Sequence, residues 1–272
     1  MSRIFDALKK AQLGRPAADP APRSIVAAPV TPLDHAPRGL RPAPVRREPG
    51  RAAPGGEATP LIIPIREAAE PPEDVIREMT RLRVSLESLL PDRASRSVMF
   101  VSSQGREGTS TVAFQFAFTL ARDSRIRTLF VDAHARRPVL ESGAGSPTGE
   151  GPPLPPGTPP GPGTRTLDGW PLGEQFHEVG LLSSALMREV IEWGSSHYDW
   201  IVLDGPPVLE SADAAPIAAV ADGVVVVVES GRTKRPVLQR TVELLRKAGG
   251  QVLGSVLNRR RLEIPEFIYR RI

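Results

Sequence analysis

Three short stretches hold glycines, hydroxyls and carboxylates at spacings suited to phosphate chemistry. The first is SSQGREGTST, residues 102–111, set between an apolar run (SVMFV) and a helix-like run (TVAFQFAFTLA). Gly105 and Gly108 allow tight turns, and the helix that follows aims its N–H groups and positive dipole end at the loop. With Arg106, Glu107 and Thr109 these residues form a cradle for polyphosphate. Ser110, followed by Thr111, stands where a phosphate loop places its Mg²⁺-coordinating hydroxyl. The lysine of such a loop is absent, and Thr109 takes its place.

The second stretch is RTLFVDAHARRP, in which Asp132 ends an apolar run. There a carboxylate can orient a metal-bound water or a nucleophile, or simply cap the next segment. Arg136 and Arg137 follow it and can approach phosphate or face solvent. The third is DWIVLDGPP, where Asp204 ends another apolar run and Gly205, Pro206 and Pro207 stiffen the turn. A carboxylate so placed holds Mg²⁺ directly or through water. Ser110, Asp132 and Asp204 are therefore the candidate metal ligands.

The elements that must position these loops alternate regularly. After a helical stripe (Val75, Ile76, Met79, Leu82, Leu86, Leu89 and Leu90) stopped by Pro91, β-branched runs alternate with amphipathic helices as far as QVLGSVLN. Uncharged strands between helices predict an α/β fold: a doubly wound, mostly parallel sheet with helices on both faces. Val224–Val228 reads as its central strand. Ligands of such sheets bind outside the carboxyl ends of the strands, where all three loops fall.

Outside this body the chain changes character. Residues 1–13 predict a short amphipathic helix, with Ser2 as cap and Ile4, Phe5, Leu8 and Ala11 on one face. Residues 14–64, rich in Pro, Ala and Arg, bury too little to offset their ordering entropy and are expected to be a disordered linker. The body is expected over 65–262, with a Pro/Gly-rich insertion at 141–173 that forms neither helix nor strand. A basic tail, 263–272, closes the chain. The absence of cysteine rules out disulfides and thiolate metal sites. No apolar run approaches the roughly 20 residues of a membrane span, and MSRIFDALKKAQ has charges where a signal peptide is apolar. The expectation is a cytoplasmic protein. The formal charge of +4 fits an acidic partner or an anionic surface, and equally a solvated basic one.

Taken together the motifs resemble those of bacterial tyrosine autokinases of capsule and exopolysaccharide production, a branch of the P-loop ATPases. The resemblance spans 73–140 and 183–262, and MSRIFDALKKAQ looks like the start of many such proteins. REGTST answers to the family's Gly-x-Gly-Lys-Ser/Thr loop, DAHARRP to Asp-x-Asp-x-Arg-(Arg/Lys)-Pro, and DGPP, with Asp213 beyond it, to Asp-x-Pro-Pro. Asn258, ending GSVLN, matches the position expected to meet the adenine base. The resemblance implies ATP and Mg²⁺ as ligands. It also implies a membrane-embedded chain-length or export protein, or related kinase subunits, as partners at the inner membrane face.

The departures are specific. The loop lysine is Thr109 and the second aspartate of the middle motif is His134. The oligomerisation pattern Glu-x-x-Arg-x-x-Arg becomes Arg77, Thr80 and Arg83, and the tyrosine-rich tail is reduced to Tyr269, the one remaining candidate phospho-acceptor. Tyr198 reads as structural. The expected function is a kinase-like regulatory or scaffold partner with impaired catalysis. The alternative is an active autokinase or ATPase in which Arg106 or a partner's residue replaces the lysine. A partitioning-type ATPase on DNA ranks last, so nucleic acid is not the expected partner.

Overall fold

In the computed structural model the described residues are 63–65, 70–134, 167–172 and 183–260. The expected N-terminal helix, nearly all of the linker, the basic tail, Arg136, Arg137 and Tyr269 lie outside them. In chain order the elements are β1 (Ile63–Pro64), α1 (Glu73–Leu89), β2 (Arg96–Ser102), α2 (Thr109–Leu120), β3 (Thr128–Asp132) and β4 (Leu167–Pro171). They continue with α3 (Ser184–Ser195), β5 (Trp200–Asp204), α4 (Ala214–Ala218), β6 (Gly223–Glu229), α5 (Arg235–Lys247) and β7 (Val252–Asn258). Local chemistry sets several of the ends. Ser183 caps α3 by accepting from the Leu186 N–H at 3.2 Å. Pro236 lies in the first turn of α5, where its missing N–H costs nothing.

The sheet has seven strands in the order β1-β4-β3-β5-β2-β6-β7; β1 pairs antiparallel with β4, and the other pairings are parallel. Successive side chains along a strand face opposite ways, so each strand feeds two cores. Val98, Phe100, Phe130, Trp200, Val202, Val225 and Val227 pack with α1 and α2 on one face. Met99, Val101, Leu129, Val131, Ile201, Leu203, Val224 and Val226 pack with buried residues of α3, α4 and α5 on the other. This is the doubly wound α/β fold expected from the alternation of runs.

Three details differ from the sequence reading. Residues 167–171, inside the expected insertion, are strand β4, in parallel register with β3 from Leu167↔Thr128 to Pro171↔Asp132. Trp170, 1% exposed, stacks edge-on against Trp193 at 5.2 Å between centroids and ties β4 into the core. Proline density around a short strand masks its apolar pattern, because five residues are too few to outweigh their neighbours. Second, the Val224–Val228 run lies in β6, with only β7 beyond it; β5 and β2 are more central. Hydrophobicity reports cover by helices above and below the sheet, not lateral position. Third, Ile63 and Pro64, placed in the linker by the sequence reading, form the edge strand β1.

Candidate functional site

The register of the sheet builds the site. Asp132 and Asp204 are paired in register at the carboxyl ends of β3 and β5. Each lies two residues beyond a side chain of the α2 face, Phe130 and Val202, so alternation turns both carboxylates toward that face. The loop from β2 to α2 arches over the same edge. Both aspartates are buried, Asp204 completely.

The loop is held by a dense set of bonds. The Glu107 carboxylate accepts from the N–H of Ser103 at 2.9 Å and from the Thr233 hydroxyl. Asn258 Nδ2 donates to the Glu107 carbonyl at 2.9 Å, and Arg259 Nη1 to the Arg106 carbonyl at 2.8 Å. Arg259 is anchored in turn by Glu229 at 3.2 Å. Thr241 of α5 donates to the Ser103 hydroxyl at 2.8 Å. Gly108, at φ 87°, is the residue before α2, and a β-carbon there would run into the Asn258 side chain. Both the conformation and the space demand glycine. Arg106 also has positive φ, 69°, and its side chain is exposed.

The expected phosphate-binding residues, Gly105 to Thr111, are thus gathered at the amino end of α2, above the expected metal-ligating pair. Asn258 is beside them, buried, with its amide engaged to the loop backbone. Two features oppose anion binding. The Gly105 N–H is taken by the Glu210 carboxylate at 2.9 Å. Among the described residues the buried Thr109 hydroxyl has no hydrogen-bond partner, and it brings no cation where a lysine would. Tyr198 is structural, as expected: it is buried and donates to Asp168 of β4 at 2.8 Å.

His134 is more than a lost carboxylate. Its N–H donates to Asp132 Oδ1 at 3.0 Å, which turns the chain back over the strand end. Its Nδ1 lies 3.3 Å from Asp204 Oδ2 and 3.6 Å from Asp132 Oδ1. Burial disfavours the imidazolium, but the two carboxylates outweigh burial and raise its pKa to about 10. Burial pushes the Asp204 carboxyl above its usual range, against the pull of His134. Asp132, Asp204 and Ser110 are the oxygen donors that would hold a Mg²⁺ ion. The imidazole among them is a donor that Mg²⁺ takes poorly.

The sequence reading named the loop and both aspartates. It missed Glu210, Thr233, Thr241, Glu229 and Arg259, which hold the loop from distant parts of the chain. Only Arg259, adjacent to Asn258, had a neighbour that marked it.

No protein-family model matches the chain. Tyrosine-protein kinase YwqD of Bacillus subtilis is 29% identical over 191 residues, covering 66% of this chain and 79% of the relative. The succinoglycan biosynthesis transport protein ExoP of Rhizobium meliloti is 29% identical over 217 residues, 71% of this chain but only 26% of that much longer protein. Among solved structures, the kinase domain of the Escherichia coli tyrosine kinase ETK superposes with a TM-score of 0.55 at 21% identity, covering 70% of this chain and 77% of that one. The chain is similar in sequence to bacterial tyrosine-protein kinases and carries the fold of the solved kinase domain of one of them.

Proposed function

We propose that this protein serves exopolysaccharide or capsule production as a kinase-like regulatory or scaffold partner, with a phosphate loop that no longer catalyses tyrosine phosphorylation. The observation that carries this reading is the hydroxyl of Thr109 at the lysine's position, buried and without a hydrogen-bond partner among the described residues. A positive charge there neutralises the transferring phosphoryl group in the transition state, and a hydroxyl does not. His134, between the two aspartates, weakens the site further by placing a cation where a metal ion would act.

The partners proposed are a membrane-embedded polysaccharide chain-length or export protein, or related kinase subunits, met at the inner face of the membrane. The similarity to part of ExoP supports that choice. Among the described residues no helix is long and apolar enough to cross a membrane.

A second reading, an active autokinase, has one observation in its favour. Arg106 lies exposed on the loop and makes no ion pair among the described residues, so its charge is available to a phosphate. Incubation of the full chain with Mg-ATP, followed by mass spectrometry of Tyr269, separates the two. No phosphotyrosine is expected, with or without related kinase subunits. Robust phosphotransfer would overturn the proposal in favour of the Arg106 reading.

A further inference from the structure

The charges of the folded body are segregated along the chain. Residues 229–260 carry eight basic side chains and only two acidic ones, Glu229 and Glu243. Residues 183–228 carry one arginine and seven carboxylates, while residues 70–134 balance at nine of each sign. The small net charge of the whole chain conceals this polarity. Pairing sharpens it. Seven of the nine arginines in 70–134 have an ion-pair partner, so their charges are answered within the fold. In 229–260, Arg232 and Arg259 pair with Glu229, and Arg240 with Glu243. Lys234, Arg235, Arg246, Lys247 and Arg260 are exposed and have no ion-pair partner among the described residues.

Four of these five unanswered cations belong to α5. Thr241 and Leu245 bury one side of that helix, with Leu238 and Val242 against the same core. Arg235, Arg246 and Lys247 lie on its exposed outward side, with Lys234 just ahead of the first turn. From Arg235 to Lys247 the helix is about 18 Å long. Arg246 and Lys247 suit the negative end of the helix dipole, so helix stability alone accounts for them. It does not account for Lys234 and Arg235, which stand at the positive end, where no acidic residue accompanies them. A cation there works against the helix. No large apolar side chain of α5 is exposed and the helix has no aromatic residue, so its outward side acts through charge alone.

We propose that the outward face of α5, with Lys234, is a contact surface for the anionic headgroups of a phospholipid bilayer. A bilayer face offers a plane of phosphates that a row of Lys and Arg on the outside of a helix meets all at once. Nucleic acid fits less well: the face has no ring to stack on a base, and a helix fixed along its other side does not enter a groove. The sequence after Arg260, RLEIPEFIYRRI, sets Leu262, Ile264, Phe267 and Ile268 between arginines, a composition that suits the boundary between headgroups and acyl chains. The proposal deepens the placement at the inner face of the membrane made above. Vesicles carry no export protein, so lipid contact and protein partnership stand or fail separately.

The test is co-sedimentation of the full chain with vesicles of phosphatidylcholine alone and of phosphatidylcholine mixed with phosphatidylglycerol, at about 0.1 M and about 1 M salt. Binding is expected to the mixed vesicles only, and to fall away at the higher salt. Each basic residue near an anionic bilayer contributes about fivefold. Arg246→Gln/Lys247→Gln is therefore expected to weaken binding roughly 30-fold, and the addition of Lys234→Gln/Arg235→Gln to abolish it. Arg125→Gln/Arg188→Gln removes the same charge from exposed positions elsewhere and should change binding less than about twofold. Circular dichroism verifies that each variant is folded. Equal binding to phosphatidylcholine alone, or undiminished binding by the folded quadruple variant, overturns the proposal. Tighter retention on duplex DNA, lost with the same four substitutions, overturns it in favour of nucleic acid.

Discussion

Thr109 carries its hydroxyl into a buried position without a hydrogen-bond partner among the described residues, at the first residue of α2 and at the end of a helix that attracts anions. The loop around it keeps its shape through Glu107, Asn258 and Gly108, none of which depends on residue 109 for the bonds described. A lysine at 109 should therefore act through charge and leave the loop's conformation intact. One charge-assisted contact to phosphate is worth about 1.5–3 kcal/mol. Thr109→Lys is expected to tighten Mg-ATP binding by roughly 10–100-fold, measured by calorimetry. If wild type binds in the micromolar range and the lysine adds little, another cation already serves the loop.

At the scale of elements, the sheet depends on a strand that the surrounding prolines conceal. β4 extends the sheet beyond β3, and Trp170 fills the space between β4 and α3 against Trp193, close to Met187 and Val190 in the same cluster. Among the described residues its buried indole N–H has no partner, and its contribution there is packing rather than hydrogen bonding. Truncation of such a side chain leaves a cavity that rigid strands cannot close. Trp170→Ala is expected to lower stability by about 3–5 kcal/mol in urea unfolding. A cost below about 1 kcal/mol would mean that β4 is peripheral to the fold. β4 also bears on the site: the Leu172 N–H donates to the Asp132 carbonyl at 3.0 Å, fixing the strand end that carries the carboxylate.

At the scale of the whole molecule, α1 determines whether copies of the chain can meet as the kinase resemblance implies. Its stripe of Val75, Ile76, Met79, Leu82 and Leu86 is buried, with Val75, Met79, Leu82 and Leu86 in the core shared with α2, leaving Arg77, Thr80 and Val84 exposed. Of the three charged positions in the oligomerisation pattern only Arg83 keeps the family's residue, and it pairs with Glu87 of its own helix at 2.8 Å. A reversed charge at 77 turns an attraction between subunits into a repulsion. The wild type is expected to sediment as a 29.3 kDa monomer, and Arg77→Glu/Thr80→Arg to self-associate more strongly. A wild-type ring in sedimentation would show that the exposed face of α1 assembles without that pattern.

The sequence by itself determined the layered fold, and it marked the glycine loop and the two aspartates that the sheet gathers at one edge. Those features are written in local periods: two for a strand, 3.6 for a helix, and a turn at the end of each apolar run. It also showed which family residues are missing at 109, 134, 77 and 80. Only the tertiary structure decided what those replacements do. Parallel register between β3 and β5, whose aspartates are 72 positions apart in sequence, sets Asp132 beside Asp204 and gives His134 two carboxylates to face. Glu210, Thr233 and Arg259 reach the loop from as far as 153 residues away. Such contacts have no local period. They arise when the sheet brings distant strand ends to one edge, and a histidine that reads as a lost ligand becomes the centre of a charged, buried cluster.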